Sequence, residues 1–211
     1  MNNRCVIELH YLPCIAWFAH ILQYDEVIIE KYEHYEKQSY RNRCHIRAAH
    51  GLHRLIVPVN AHGKVPVHQV KIDYAQKWLN NHWRTVTSAY RLSPFFEYYE
   101  DELHRNLSKR YTYLYDLNMN LLQVCLSGLK ANVRLRETSA FQSDYGPSVT
   151  DLRNQIHPKK KPNGSLIAQI RYRQVFGTDF MENMSVIDLL SCTGPDALRL
   201  LTQTATASRT N

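Results

Sequence analysis

C-V-I-E-L-H-Y-L-P-C-I-A-W-F-A-H-I-L-Q-Y-D-E-V-I-I-E, residues 5 to 30, is the stretch whose reading decides the fold. Cys5 to Leu9 is a short, mostly apolar run of strand length, and Pro13 to Leu22 reads as a helix with Pro near its first turn. Glu26 to Glu30 returns as a second apolar strand. Strand, tight turn, helix and strand predict a βαβ unit with a parallel pair and a right-handed crossover, so the chain reads as α/β with a parallel or mixed sheet. In such a sheet ligands bind beyond the carboxyl ends of the strands. Here that edge is the turn His10 to Pro13, which includes Tyr11, together with the segment after Glu30.

Outward from this unit, Arg54 to Val59 and Val67 to Ile72 read as further strands, the second alternating apolar and polar. Asp73 with Gln76 makes a capping box for a helix carrying Ala75, Trp78, Leu79, His82, Val86, Ala89 and Tyr90 at helical spacing. Ser93-Pro94 opens another helix, and Leu114, Leu117, Leu121, Val124 and Cys125 mark a third. These consecutive helices predict a helical subregion packed on the sheet. From 140 to 165 Gly, Ser and Pro accumulate, which predicts a mobile loop. Ile170 to Phe176 reads as a late strand, Ser185 to Leu190 as a capped helix stopping at Gly194, and 202–211 as a disordered tail. The expected organisation is a single α/β domain over 1–201.

Composition narrows the class. The chain of 211 residues is 44% hydrophobic and 21% charged, as expected of a globular domain. No apolar run reaches the roughly 20 residues that span a bilayer, and no cleavage pattern marks the N-terminus. The five cysteines are widely spaced without a C-x-x-C pair, which predicts neither disulfides nor a zinc knuckle and fits a cytoplasmic location. No H-x-x-x-H or H-E-x-x-H helix occurs, so no metal is predicted. Phosphate-loop and dinucleotide-binding glycine patterns are absent, and no cofactor is indicated.

The net charge of +7 concentrates between Lys31 and Arg54, a local +4 with four histidines. Within it Y-E-K-Q-S-Y-R-N-R-C-H-I, residues 35 to 46, offers Lys37, Arg41 and Arg43 to phosphate or carboxylate, with Ser39 and Asn42 as neutral donors. If extended, Lys37, Ser39, Arg41 and Arg43 share one side at period two and line a crevice; a solvated basic edge is the bland alternative. The expected partner is an anionic small molecule such as a nucleotide-sugar or a phosphopantetheine carrier. Nucleic acid is disfavoured, because no recognised binding motif accompanies the charge.

Two further groups carry chemistry. Cys14, at an expected helix N-terminus with His10 as a nearby base, is the candidate nucleophile for acyl or aminoacyl transfer, against a packing role. His82 is read as a core histidine or a catalytic one, and its neighbour Trp83 as a ring that stacks on a ligand. Asp151, Arg153 and Asn154 precede the loop and are candidates to close over a ligand.

The motifs E-L-H-Y-L-P-C-I-A-W-F at 8–18, Y-E-K-Q-S-Y-R-N-R at 35–43, I-D-Y-A-Q-K-W at 72–78 with H-W-R at 82–84, and S-P-F-F at 93–96 lie in a specific order. With D-L-N at 116–118, D-L-R-N-Q-I at 151–156, Y-R-Q-V-F at 172–176 and N-M-S-V-I-D-L-L at 183–190, the chain resembles the WbqC-like family over nearly its whole length. That resemblance implies a role in bacterial surface-polysaccharide or O-antigen biosynthesis, with a transferase modifying an activated, amino-bearing sugar as the first expectation. It also implies that Cys14 and His10 are not shared catalytic machinery, since relatives often carry an aromatic residue and Gln there. A nucleotidyltransferase-like enzyme without its H-x-G-H signature, and a non-catalytic binder of anionic ligands, are the alternatives.

Overall fold

The computed structural model describes residues 3–160 and 170–207. Its centre is a four-stranded parallel sheet. Strand β1 (Arg4–Glu8) is followed by helix α1 (Ile15–Ile21) and strand β2 (Glu26–Glu30), which pairs with β1 in parallel, Cys5 against Val27 and Glu8 against Glu30. The apolar runs Cys5–Ile7 and Val27–Ile29, each closed by a glutamate, leave both strands buried apart from their first residues, the pattern of a parallel strand covered on both faces.

A hairpin follows, β3 (Arg43–Ala48) with β4 (Gly51–Ile56), and then a two-residue antiparallel pair, β5 (Val59–Asn60) with β6 (Lys71–Ile72). Helices α2 (Trp78–Tyr90), α3 (Glu97–Leu107) and α4 (Leu114–Leu129) come next. The chain returns to the sheet as β7 (Arg134–Glu137) beside β2 and β8 (Val149–Asp151) beside β1, giving the order β7-β2-β1-β8. Helices α5 (Val186–Thr193) and α6 (Ala197–Ala207) complete the described chain and pack against α1. The fold is α/β, with a parallel sheet built on its N-terminal unit and helices packed after it.

Several elements differ from the sequence reading for identifiable reasons. Val67–Gln69 is a single turn of 3-10 helix, and only Lys71–Ile72 is strand, because Val65 and Val67 bond the backbone of Tyr35 and Glu33. Pro58 follows the end of β4, so the run to Val59 is not one strand. Asp73 accepts the Ala75 amide at 2.9 Å, folding a turn that delays α2 to Trp78. Residues 170–176 form no strand, since Tyr172 and Gln174 spend their polar groups on the buried Asp188. The Gly- and Ser-rich stretch contains β8, and α6 runs through the expected tail as far as Ala207; 161–165 and 208–211 lie outside the described residues. Among the described residues no helix is long and apolar enough to cross a membrane.

Candidate functional site

At the carboxyl edge of the sheet the parallel strands end in acids: Glu8 on β1, Glu30 on β2 and Asp151 on β8. Glu8 and Glu30 are wholly buried, a costly position that demands partners. Glu30 accepts four hydrogen bonds, from the Tyr32 amide, Thr138 Oγ1, Tyr145 hydroxyl and Arg153 Nη1, all between 2.8 and 3.1 Å. Glu8 Oε1 meets His10 Nε2 at 3.0 Å, and its Oε2 accepts the Asn154 amide at 3.0 Å. Burial works to raise the Glu8 pKa, but the His10 hydrogen bond, the Arg41 charge and the Asn154 amide together hold it below the ordinary carboxylate value.

His10 is fully buried, and burial pushes its pKa down. A neutral ring must donate from Nε2 to Glu8, so Nδ1 is left as an acceptor, and it is buried without a hydrogen-bond partner among the described residues. The carboxylate–imidazole pair thus holds one tautomer, the arrangement that orients a general base.

Above these groups opens a polar cleft of about 330 Å³, lined by Glu33, His34, Glu36, Arg41, Phe141, Asp151, Arg153 and Asn154. Arg41 forms its inner wall and is 2% exposed. Its Nε and Nη2 grip Glu33 in bidentate fashion, both at 2.7 Å, Nη2 also donates to Asn154 Oδ1 at 2.8 Å, and Nη1 reaches Glu36 at 3.4 Å. Glu33 keeps this guanidinium firmly protonated against the burial that works to lower it. Asn154 adopts a left-handed φ of 59° and so presents its amide to Glu8 while its side chain serves Arg41. Arg153 is clamped by Asp151 at 2.6 Å and Glu30 at 3.1 Å, and lies over the rings of Phe141 and Tyr145. The Phe141 ring is 55% exposed.

The sequence-derived candidates separate into groups. Asp151, Arg153, Asn154 and Arg41 meet at the cleft. The extended arrangement expected for 37–43 does not occur: residues 37–42 are turns, Gln38 has a φ of 61°, and only Arg43 begins a strand. Ser39 donates to the Glu36 carbonyl and Asn42 to the Val57 carbonyl, so both fasten the backbone, while Lys37 is exposed.

Tyr11 and His82 bond each other at 2.9 Å inside the core; His82 Nε2 donates to the Ile56 carbonyl, and burial takes its pKa down to about 4. Trp83 packs between Phe96 and His104, with no part in the cleft. Cys14 is 2% exposed, its thiol is pushed up to about 11 by burial, and the Ile15 and Ala16 amides behind it are taken by the Met184 carbonyl and Asn183 Oδ1. Burial thus disfavours the thiolate that a nucleophilic Cys14 would need and suits the packing role weighed against it.

Glu8, Glu30, Glu33, Glu36, Phe141 and Tyr145 were not singled out from sequence. A signal existed for the first two, because V-I-E and I-I-E end both halves of the βαβ unit with a carboxylate at the crevice edge. Among the described residues no group of three or more metal-ligating side chains is assembled.

The WbqC-like protein family matches residues 9–165, which span all eight side chains lining the cleft. An uncharacterized protein of Mycobacterium tuberculosis, Rv1507c, is 30% identical over 145 residues, covering 67% of this chain. The chain spans 62% of that relative's length. No solved structure matches.

Proposed function

This chain belongs to the WbqC-like protein family, and we propose that its cleft holds a sugar unit of a surface-polysaccharide precursor, to which an acyl or aminoacyl group is transferred. The observation that carries the reading is the cleft's lining. Three carboxylates, Glu33, Glu36 and Asp151, outnumber the two guanidiniums of Arg41 and Arg153, and both guanidiniums are already paired. Such a surface has little use for a phosphate or a carboxylate. It suits a ligand rich in hydroxyls, which planar polar side chains bind in pairs, and an amino substituent, which the surplus carboxylate accepts. The exposed Phe141 ring beside it offers the flat apolar face of a sugar a place to stack.

Acylation of a sugar amine or hydroxyl needs a base to take the proton released as the nucleophile attacks the acyl carbonyl. His10, neutral and held by Glu8 with a buried Nδ1 that has no hydrogen-bond partner among the described residues, is the group assigned to that role. The complete burial of both Glu8 and His10 favours a second reading, a sugar-binding protein without turnover.

Titration calorimetry with a panel of amino and neutral sugars and their nucleotide-linked forms, followed by acyl-transfer assays with thioester donors, separates the two. H10N should lower transfer on the order of a hundredfold or more with sugar affinity kept. Binding without turnover on any donor selects the non-catalytic reading, and absence of sugar binding sinks both.

A further inference from the structure

The β3–β4 hairpin carries cations of a different kind. Its register sets His45 opposite Arg54 and Arg43 opposite Ile56. Alternation then places Arg43, His45 and Arg54 on one face while Cys44, Ile46 and Leu55 enter the core. Cationic groups opposed directly across an antiparallel pair repel each other. Burial, with the Arg54 and Arg43 charges, lowers the His45 pKa and so favours the neutral ring, and burial with Arg54 works to lower Arg43 although Tyr35 opposes it.

Lys159 adds a fourth basic group, and with Gln38 these side chains border a depression of about 480 Å³. Among the described residues no carboxylate lines it, neither arginine has an ion pair, and Arg43 Nε is buried without a hydrogen bond. Arg41, two residues earlier, has Nε and both terminal nitrogens occupied.

We propose that this hairpin face is a binding site for a diphosphate, with the Arg43 and Arg54 guanidiniums each engaging phosphoryl oxygens, Lys159 adding a point charge, and Gln38 and His45 fixing orientation. Two planar forks on neighbouring strands match two linked phosphoryl groups better than one, and the volume admits a pyrophosphate. A diphosphate also supplies the missing counter-charge for Arg43 and Arg54. The site uses none of the side chains that line the polar cleft, so it holds or fails separately from the reading given for that cleft.

The test is calorimetric titration of the full chain with inorganic pyrophosphate at low ionic strength, against sodium chloride of matched ionic strength. Saturable binding of pyrophosphate is expected, weakened at least about tenfold by R54Q and by R43Q and unchanged by R84Q on the exposed face of α2. Arg54 is exposed, so R54Q should fold normally by circular dichroism even if R43Q does not. Uridine diphosphate and coenzyme A distinguish the source: whichever binds more tightly than pyrophosphate, with the same sensitivity to R54Q, identifies a nucleotide or a pantetheine carrier. Absence of saturable binding, an equal loss in R84Q, or tighter capture of an RNA duplex than of any diphosphate would overturn the proposal.

Discussion

Arg41 is where a structural and a ligand-gripping role diverge most sharply in outcome. Its side chain is 2% exposed and that of Glu33 7%, so R41A strands a carboxylate in the interior and also deprives Asn154 Oδ1 of its donor. Removing one member of a buried pair costs about 3–5 kcal/mol. For a chain of this size each kcal/mol moves the melting temperature by about 2–4 °C, so R41A should melt on the order of 10 °C lower. Replacing both partners, as in R41M with E33L, removes the stranded charge, and a buried pair exchanged for apolar groups is often close to neutral. The double variant should therefore melt well above R41A, despite carrying one more substitution.

Differential scanning calorimetry of the wild type, R41M, E33L and the R41M/E33L double variant completes the cycle, with R41A measured beside them. The reasoning is refuted if R41A melts within about 2 °C of the wild type, the range of an ordinary surface substitution, while ligand affinity collapses. That result would mean that the guanidinium is available to ligand in solution.

Three other outcomes follow from the same geometry. His82 is held neutral by burial, with a pKa near 4 against an ordinary 6.5. A depressed histidine contributes stability that is full above pH 6.5 and lost as the pH falls toward 4, a loss on the order of 3 kcal/mol; denaturant melts of wild type and H82N across pH 4–8 should show this increment only in the wild type. Cys14, buried and raised to about 11, should react with iodoacetamide at neutral pH only under denaturing conditions, whereas rapid alkylation of this thiol in the native protein, read by peptide mass mapping, would restore it as a nucleophile. F141A should weaken sugar binding by roughly tenfold, about 1.4 kcal/mol, and leave the melting temperature nearly unchanged, because the ring is more than half exposed; unaltered affinity would remove stacking from the reading of the cleft.

What could be read from the sequence follows from how local each determinant is. The βαβ unit is legible because Cys5 to Ile7 and Val27 to Ile29 are apolar without alternation, as a parallel strand covered on both faces needs. Strands β7 and β8 flank the sheet and are short and largely polar, Arg134–Glu137 and Val149–Asp151, so their pairing with β2 and β1 is decided by tertiary contact and leaves little periodic trace. The segment 35–46 attracts notice by charge alone, but charge does not say which arginine has a partner. Arg41 finds Glu33 eight residues back and Asn154 more than a hundred residues on, and the second contact depends on a turn that composition marks only as loop. Glu8 and His10 form a pair two residues apart on the same face of an extended chain. That spacing was visible, but their complete burial was not.

The two arginine-bearing surfaces share one short segment, and the backbone divides them. Gln38, at a φ of 61°, turns the chain so that residues 37–42 fold back on Glu33 and Glu36, and Arg41, the cation buried inside that turn, meets both carboxylates. Arg43 is the first residue of strand β3, where alternation takes over and the opposing strand supplies Arg54 in place of an acid. Charge neutralised in the turn builds a rigid polar wall, and charge left uncompensated on the strand makes a site that an anion would complete. The basic excess of this chain is thus neutralised at Arg41 and left without an ion pair, among the described residues, at Arg43 two residues on.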